Sequence, residues 1–414
     1  MNDFAGELQR LMAAQGLGVR ELARQVPCNP GYISNLRGGR KRPSSQTARR
    51  LDEILGAGGT LVVLAGREGA QPGAAGSGSP LEELVDHAVE FGRWTEATNV
   101  GTGTIDLADA EIHHIAREYD NSPPGPLVRR AAQVSRRVFA LVRQHQRLWQ
   151  TRDLYVIGAK SCAFLACALG DLGQQPAAAA HGRTALTLAE ESGHPAAVAL
   201  ALSALSKIAF WDGERERASD LARRGYECCP PNSTRVLLAC QEADAADLPG
   251  AREAISRAGR AHDEITAEDD LAGLFSCGRA RRACYTMTLR LRIGDPAGVL
   301  AAAEDADAAY KGGEKRSHGT WGQVQISAAL AYLGMGEIDA AAARLSPVLG
   351  LPPALRLATF GGRLAQTAGM LAAPAYRGNA AAGDLADEVH GYLRVPEAGR
   401  LPYPLALGRA GWPQ

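Results

Sequence analysis

Apolar residues recur at helical spacing in short segments along roughly the first 60 positions of the chain. Each segment places its apolar side chains on one side of a helix. The stripes consist of Phe4, Leu8, Leu11 and Met12; Val19, Leu22, Ala23 and Val26; Ile33 and Leu36; and Ala48, Leu51, Ile54 and Leu55. The pattern therefore predicts a bundle of four or five short helices.

Residues suited to helix ends separate these segments. Asn29 is the predicted N-cap of the third helix, and Pro30 then occupies its first position, where the missing N–H removes no helical hydrogen bond. The other helix ends are predicted at Gly16, Gly18, Pro27, Gly38, Gly39, and Ser44 or Ser45. Two short helices joined by a short turn within such a bundle are typical of a helix-turn-helix, whose second helix enters the major groove of DNA.

Basic residues are concentrated in the same segment. Residues 1–67 contain ten Lys or Arg and five Asp or Glu, whereas the remainder contains 35 basic and 40 acidic residues. The chain as a whole has no net formal charge. We call residues 1–67 the head and the remainder the body. The basic charge of the head and the mildly acidic charge of the body indicate that only the head binds a polyanion.

Three short strings in the head match a known family. They are ELA at 21–23, YIS at 32–34 and, after Gly39, the basic run RKRPS at 40–44. Together with the rest of the segment 17–55 they resemble the Xre-type, phage-repressor-like helix-turn-helix family, over about one seventh of the chain. The resemblance implies a DNA-binding domain whose third helix lies against a duplex.

The resemblance also implies which residues would touch DNA. Gly31, Tyr32 and Asn35 would face base edges, because they lie on the side of the third helix opposite Ile33 and Leu36. Asn35 is suited to pair with adenine, and Tyr32 is suited to contact a thymine methyl group or a phosphate. The phosphate candidates are Arg20, Arg24, Ser34, Arg37, Arg40, Lys41 and Arg42. The alternative for each single arginine is a merely solvated basic surface.

The remaining sequence predicts a linker and a helical body. Residues 66–80 are rich in Gly, Ala and Ser and lack hydrophobic periodicity, which is typical of a flexible linker. Helical stripes then return, and a hydrophobic content of 46% dominated by alanine favours closely packed helices and an all-α protein. We therefore expect a helix-turn-helix domain at 1–65, a linker at 66–80, a helical-repeat domain at 81–395 and a tail at 396–414.

Glycines recur in the body at positions where helical hairpins would turn. The turn glycines are predicted at Gly173, Gly213, Gly294 and Gly336, spaced by 40, 81 and 42 residues. Five positions after each glycine stand Ala178, Ala218, Val299 and Ala341. The 81-residue interval spans two units, with a degenerate copy between Val236 and Ala258. Because stacked hairpins bury the apolar faces that a single hairpin leaves exposed, the pattern predicts a tetratricopeptide-like α-solenoid.

Strings in the body give a second resemblance, to a group of actinomycete regulators with an Xre-type head. The strings are EATNVGTGT, QTRDLY, SKIAFW and TRVLLACQEA. The resemblance implies a solenoid that forms a homodimer and holds a small molecule or peptide on its concave face. The candidate ligand residues are Arg152, Asp153, Lys207, Trp211, Arg235, Gln241 and Glu242. Helix-capping pairs and core aromatic residues explain the same positions equally well.

The sequence lacks the common signatures of catalysis. It contains no Walker A loop, HExxH, GxSxG or CxxC pair, and the adjacent His113 and His114 point to different sides of a helix. We therefore expect no enzyme activity, no catalytic or metal-binding residue and no cofactor. The eight cysteines are expected to be small core residues held as thiols. No secretory signal and no apolar stretch near the roughly 20 residues of a membrane span are visible, so we expect a cytoplasmic protein without a membrane partner.

Two functions from different classes are compatible with this pattern. The first is a transcription regulator that binds double-stranded DNA in a sequence-specific manner as a homodimer, with a body that senses a ligand. The second is a protein-interaction scaffold in which the head is a docking bundle that does not bind DNA. Steep weakening of DNA binding by salt would distinguish the first, because each neutralised phosphate releases counterions.

Overall fold

A computed structural model describes residues 4–26, 28–67, 80–101 and 103–394. Within these ranges the chain forms 20 α-helices and three 3-10 helices, and no strand. The prediction of an all-α protein, with a helix-turn-helix bundle followed by a helical solenoid, is confirmed. The chain divides into two compact units, Met1–Gly92 and Arg93–Gln414. The predicted tail at 396–414 and most of the predicted linker at 66–80 lie outside the described residues.

The N-terminal unit contains five short helices around one apolar core. These helices are α1 (Phe4–Ala14), α2 (Val19–Gln25), α3 (Pro30–Arg37), α4 (Ser45–Ile54) and α5 (Thr60–Arg67). The predicted stripes supply its core, in which the buried side chains include Phe4, Leu8, Met12, Leu22, Val26, Ile33, Leu36, Ala48, Leu51 and Leu55. Leu61 and Leu64 of α5 complete the core. The fifth helix is one that the stripes did not locate.

Local hydrogen bonds begin the helices of this unit. The side-chain oxygen of Asn29 accepts a hydrogen bond from the backbone N–H two residues later (2.8 Å), as predicted for the N-cap of α3. Ser44 caps α4 in the same way, by accepting from the N–H of Thr47 (3.1 Å). The predicted helix stop at Pro27 lies outside the described residues. The caps satisfy N–H groups that have no partner within the helix.

A buried carboxylate joins α4 to α5. Asp52 is 8% exposed and accepts hydrogen bonds from the backbone N–H groups of Gly59 (2.6 Å) and Leu61 (2.8 Å). These N–H groups lie at the start of α5, where a negative charge is favourable. Asp52 therefore fixes the turn between the two helices.

The second unit is built from consecutive helical hairpins, and the division between the units falls within α6. The helix α6 (Pro80–Glu96) spans this division. The helices that follow it are α7 (Thr104–Glu118), α8 (Pro124–Val142), α9 (Leu148–Asp171), α10 (Gln175–Ser192), α11 (Pro195–Trp211), α12 (Arg215–Cys228), α13 (Ser233–Ala245), α14 (Leu248–Asp263), α15 (Arg279–Arg292), α16 (Pro296–Lys311), α17 (His318–Met335), α18 (Ile338–Leu349), α19 (Ala358–Leu371) and α20 (Ala380–Arg394). From α7 onward, the two helices of each successive pair pack against each other.

The predicted turn glycines lie between the two helices of four hairpins. They are Gly173, Gly213, Gly294 and Gly336, with φ of 71°, 83°, 69° and 83°. These values are in the left-handed region, which only glycine adopts without strain. The residues five positions later, Ala178, Ala218, Val299 and Ala341, are fully buried. A small side chain there lets the second helix approach the first, so the predicted hairpin register is confirmed.

The degenerate copy predicted between Val236 and Ala258 is the hairpin of α13 and α14. Its turn lacks a glycine, and Asp247 begins the second helix by accepting a hydrogen bond from the N–H of Gly250 (2.9 Å). An aspartate at the N-cap thus replaces the glycine signal of the other hairpins. The glycine pattern of the sequence therefore does not mark this turn.

A non-repetitive segment, 264–278, follows this hairpin and enters the core. Its 3-10 helix, Gly273–Phe275, contacts α7, and Leu271 and Phe275 are fully buried. Gly273 has φ of 68°, and a Cβ at this position would collide with the carbonyl oxygen of Ala116. The segment fills space beside α7 and lengthens the interval between turn glycines.

The first helices of the hairpins follow one another around the inside of this unit. The helices α9, α11, α13, α15, α17 and α19 are neighbours in that order, and α19 also contacts α9. Near the same closure, the N–H of His318 donates to the carbonyl oxygen of Asp120 (3.0 Å), and the ring Nδ1 of His318 lies 3.1 Å from that oxygen. The solenoid therefore curls until its last hairpins meet its first.

The helix α9 is the central core element of this closed solenoid. Among the described residues, α9 is the one helix that is long and apolar enough to cross a membrane by length and composition. However, 83% of its most apolar window is buried inside the protein. A core helix that neighbours cover on every side is apolar for that reason.

Candidate functional site

The exposed side of α3 is the first candidate site. Ile33 and Leu36 are buried at 0% and 1% exposure, so the helix turns its opposite side to solvent. On that side Gly31 is exposed, and Ser34 and Asn35 are partly exposed. Tyr32 is also partly exposed, but it lies nearer the buried side, where its ring packs against the core and its hydroxyl donates to the carbonyl oxygen of Arg42 (3.4 Å). The side chain of Asn35 makes no hydrogen bond to any described residue, which leaves its amide free to bind a base edge.

Contacts at its C-terminal end hold α3 in place. The amide of Gln9 in α1 donates to the carbonyl oxygen of Arg37 (2.6 Å). The backbone N–H groups of Arg40 and Lys41 both donate to the carbonyl oxygen of Asn35 (2.9 and 3.3 Å). The basic loop after α3 is therefore folded back onto the end of the helix.

Most predicted phosphate contacts are exposed cations without a neutralising carboxylate. Five of the predicted contacts have no carboxylate within ion-pair distance in the part of the chain that the structure describes. They are Arg20, Arg37, Arg40, Lys41 and Arg42. Arg24 differs, because it pairs with Glu21 one helical turn earlier. The surface therefore keeps an excess of positive charge around α3, which is the electrostatic requirement for meeting phosphates.

Two further cations were not among the predicted contacts. Arg49 and Arg50 are exposed on α4 and have no ion-pair partner among the described residues. The signal was present in the sequence, since both lie between the inward positions Ala48 and Leu51. They are additional phosphate candidates.

A cavity inside the second unit is the other candidate site. It has a volume of about 310 Å³ and is lined by the inward sides of the first helices of the hairpins. This volume is at the lower end of the range for small-molecule sites, about 300–1,000 Å³. Three of the predicted ligand residues, Lys207, Trp211 and Gln241, line this cavity.

The other four predicted ligand residues lie elsewhere and most have structural contacts. Arg152 donates to the carbonyl oxygen of Ser192 (3.0 Å), and the guanidinium of Arg235 stacks on the ring of Tyr226 at 4.6 Å. Asp153 is partly exposed and does not line the cavity. These positions fit the alternative role in packing and capping better than a role in ligand binding.

Glu242 is the fourth of these residues and is neutralised by protein. Its side chain is 2% exposed and forms ion pairs with Arg223 (3.0 Å) and Arg257 (2.6 Å). Both carboxylate oxygens therefore have partners. A buried charge that is fully paired in this way is a structural element of the solenoid.

A second paired carboxylate forms part of the cavity wall. Asp171 accepts hydrogen bonds from the hydroxyl of Tyr119 (2.8 Å) and from the ammonium of Lys207 (2.7 Å). Burial and the neighbouring Asp171 carboxylate raise the pKa of Tyr119 well above its ordinary value. The tyrosine therefore stays a neutral donor, and it links α7 to α9.

Five of the eight cysteines are buried and three are partly buried. All eight cysteines are free thiols, and burial raises the pKa of Cys162 and Cys167 to about 11. His113 lies 3.2 Å from the ammonium of Lys160, and burial lowers the pKa of its ring. The described residues contain no cluster of three or more metal-ligating side chains.

Comparison with known proteins bears on the first unit. Residues 3–64 match the model of a family described as a helix-turn-helix domain, and this range spans α1 to α4 and most of α5. No curated protein matches the chain. The five-helix bundle and the match agree on the same residues. The N-terminal part of this protein is a helix-turn-helix domain, which supports DNA binding.

Proposed function

We propose that the protein is a cytoplasmic, non-enzymatic transcription regulator of the Xre type that binds double-stranded DNA as a homodimer. The observation that carries the proposal is the exposed side of α3, flanked by cations of which all but Arg24 pair with no carboxylate among the described residues. In this account α3 lies in the major groove. Gly31, Tyr32 and Asn35 then face base edges, while the basic loop at 40–42 meets the phosphates.

The second unit would supply dimerisation and sensing in this proposal. Its closed, tetratricopeptide-like solenoid holds a cavity of small-molecule size. A ligand that binds one shape of the solenoid better than another shifts the population toward that shape. Because the two half-sites of an operator lie about one helical turn (~34 Å) or a multiple of it apart, a change in the spacing of two heads alters DNA affinity.

A mobility-shift assay with DNA from the promoter of the protein's own gene tests the proposal. We expect a shift that unlabelled random DNA does not compete away. The variant R40A/K41A should bind about tenfold more weakly or worse, because two phosphate contacts are lost. A scaffold that does not bind DNA would show no selective shift.

A matched control removes the same charge from the other unit. Arg136 on α8 and Arg143 at its C-cap are exposed and have no ion-pair partner among the described residues. The variant R136A/R143A should therefore fold and bind DNA as the unchanged protein does. Equal loss of binding in both double variants would show that only net charge matters, and would overturn the role given to α3.

A further inference from the structure

The cavity of the solenoid is lined by a partly exposed cation that forms no close ion pair with any residue that the structure describes. Arg281 on α15 lines the cavity, and its Nη1 donates to the carbonyl oxygens of Leu274 (2.9 Å) and Ser276 (2.6 Å) and more weakly to that of Gly273 (3.3 Å). No carboxylate lies within ion-pair distance of Arg281 among the described residues. Its Nε and Nη2 groups also donate to no described residue. These groups form a fork of donors of the kind that binds an oxyanion through two parallel hydrogen bonds.

The other charges of the cavity do not supply a partner for Arg281. Asp171 is already occupied by Tyr119 and Lys207. Asp244 lies toward Arg363, whose guanidinium donates to the hydroxyls of Thr288 and Ser327 on neighbouring helices. The lining itself carries three cations and two carboxylates, and the carboxylate of Asp120, outside the lining, also acts on Arg281 without contacting it. Because two donor groups of Arg281 have no acceptor among the described residues, the site favours a ligand that supplies oxygen acceptors and a negative charge.

The rest of the lining is suited to an apolar group. Phe210 and Trp211 line the cavity from α11, with ring centroids 5.3 Å apart in an edge-to-face arrangement. Trp211 is 39% exposed, which places it at the accessible part of the wall. Tyr285, one turn beyond Arg281 on α15, and Leu357 add further apolar surface. Large flat side chains bury much apolar area of a ligand without losing many rotamers.

We propose that the cavity binds a small organic carboxylate, with its carboxylate group on the free fork of Arg281 and its aromatic or aliphatic body against Phe210 and Trp211. The two parallel donors of the free fork match the two oxygens of one carboxylate group. The limited volume favours a small molecule over an extended peptide. This assignment deepens the proposed sensing function and rests on it for its biological consequence, but binding itself needs no DNA.

The test is isothermal titration calorimetry on the full-length protein with three probes of one shape. They are 3-phenylpropionate, the neutral 3-phenyl-1-propanol and the cationic 3-phenylpropylamine. We expect the carboxylate to bind at least tenfold more tightly than the alcohol, which is the scale of a hydrogen bond to a charged group, about 1.5–3 kcal/mol. The amine should bind most weakly. Equal binding of carboxylate and alcohol, preference for the amine, or no carboxylate binding at millimolar concentration would overturn the proposal.

Variants locate the site. R281Q should lower carboxylate affinity at least tenfold while leaving alcohol binding nearly unchanged, and W211A should weaken both probes. Because Arg281 also bonds three backbone carbonyls, R281K serves as the variant that keeps the charge but loses the fork, and it should show an intermediate loss. R136Q, outside the cavity, is the control and should change nothing. Full carboxylate affinity in both Arg281 variants would overturn the assignment.

Failure here and failure of the proposed function have different signatures. A protein that binds 3-phenylpropionate but gives no selective mobility shift would contradict DNA recognition alone. A protein that shifts its operator, and whose R40A/K41A variant loses that shift, but that binds no carboxylate would contradict the ligand class alone.

Discussion

Glu242 and Asp244 show how the surroundings of a single carboxylate decide its role. They stand two residues apart on α13, and Glu242 has two arginine partners at ion-pair distance. Asp244 has no ion-pair partner among the described residues, although the charges of Arg363, Arg292 and Arg215 attract its carboxylate from a greater distance. Burial outweighs these attractions and raises the pKa of Asp244 to about 6. The same residue class is thus a structural ion pair at one position and a titrating group at another.

Asp244 predicts a specific pH dependence of stability. Its pKa rises from 3.8 to about 6, so the folded protein binds the proton more tightly than the unfolded chain. The contribution of Asp244 to the free energy of unfolding is therefore lost as the pH rises through the pKa of about 6. We expect D244N to stabilise the second unit relative to the unchanged protein by about 1 kcal/mol more at pH 7.5 than at pH 5.

Urea unfolding at the two pH values measures this difference. The D244N substitution removes the titrating carboxyl group and keeps the size of the side chain. The stability that it adds should therefore shrink at low pH, where Asp244 of the unchanged protein becomes protonated. Asp171, which Tyr119 and Lys207 already pair, gives a contrast. D171N should destabilise at both pH values. A constant effect of D244N across pH would show that Asp244 does not titrate in this range.

Sequence reasoning reached some residues of the cavity and missed others for a physical reason. Lys207, Trp211 and Gln241 stand out as polar or aromatic residues in alanine-rich helices, and the structure places them at the cavity. Arg281 is one of five arginines in α15, and Arg363 is the single arginine of α19, so neither stands out by composition. Their position depends on which side of α15 and α19 faces inward, and the packing of distant helices decides this. Whether any of these residues binds a ligand stays a prediction.

A comparison of two glycines with the same backbone conformation distinguishes the cost of backbone strain from the cost of a packing clash. Gly273 has φ of 68° and lies against the carbonyl oxygen of Ala116, whereas Gly294 has φ of 69° and open space around it. Alanine at either position pays the left-handed backbone cost, about 1–2 kcal/mol. Only G273A also forces the 3-10 helix away from α7.

We therefore expect G273A to destabilise the second unit by at least 1–2 kcal/mol more than G294A, or to prevent its folding. Chemical unfolding followed by circular dichroism measures the two variants side by side. Equal stabilities would mean that the inserted segment is not held against α7 as the structure shows.

At the level of helices, prediction succeeded where the signal was local. Four turn glycines and the N-caps of α3 and α4 are encoded by the residues at the turn itself, and all are confirmed. The segment 264–278 has no periodicity, yet Leu271 and Phe275 are fully buried. Its burial depends on α7 and α9, more than 90 residues earlier, so no local pattern reveals it.

For the whole molecule, the closure of the solenoid has the largest consequence. A repeat pattern predicts that hairpins stack, but the small rotation between neighbours sets the curvature, and its sum decides whether the ends meet. Here α19 returns to α9, and the cavity lies inside the closed ring. The sequence predicted a solenoid with a concave face, and the partly open cavity follows from geometry that only the structure shows.

The central claim is that the basic surface around α3 binds the phosphates of a duplex. The most direct measurement is the salt dependence of the affinity for the selected operator, compared between the unchanged protein and R40A/K41A. We expect log K to fall linearly with log salt, and the magnitude of its slope to decrease by about 2 in the variant, because each lost phosphate contact contributes about 0.9. A slope that is near zero, or that is the same in both proteins, would contradict the account.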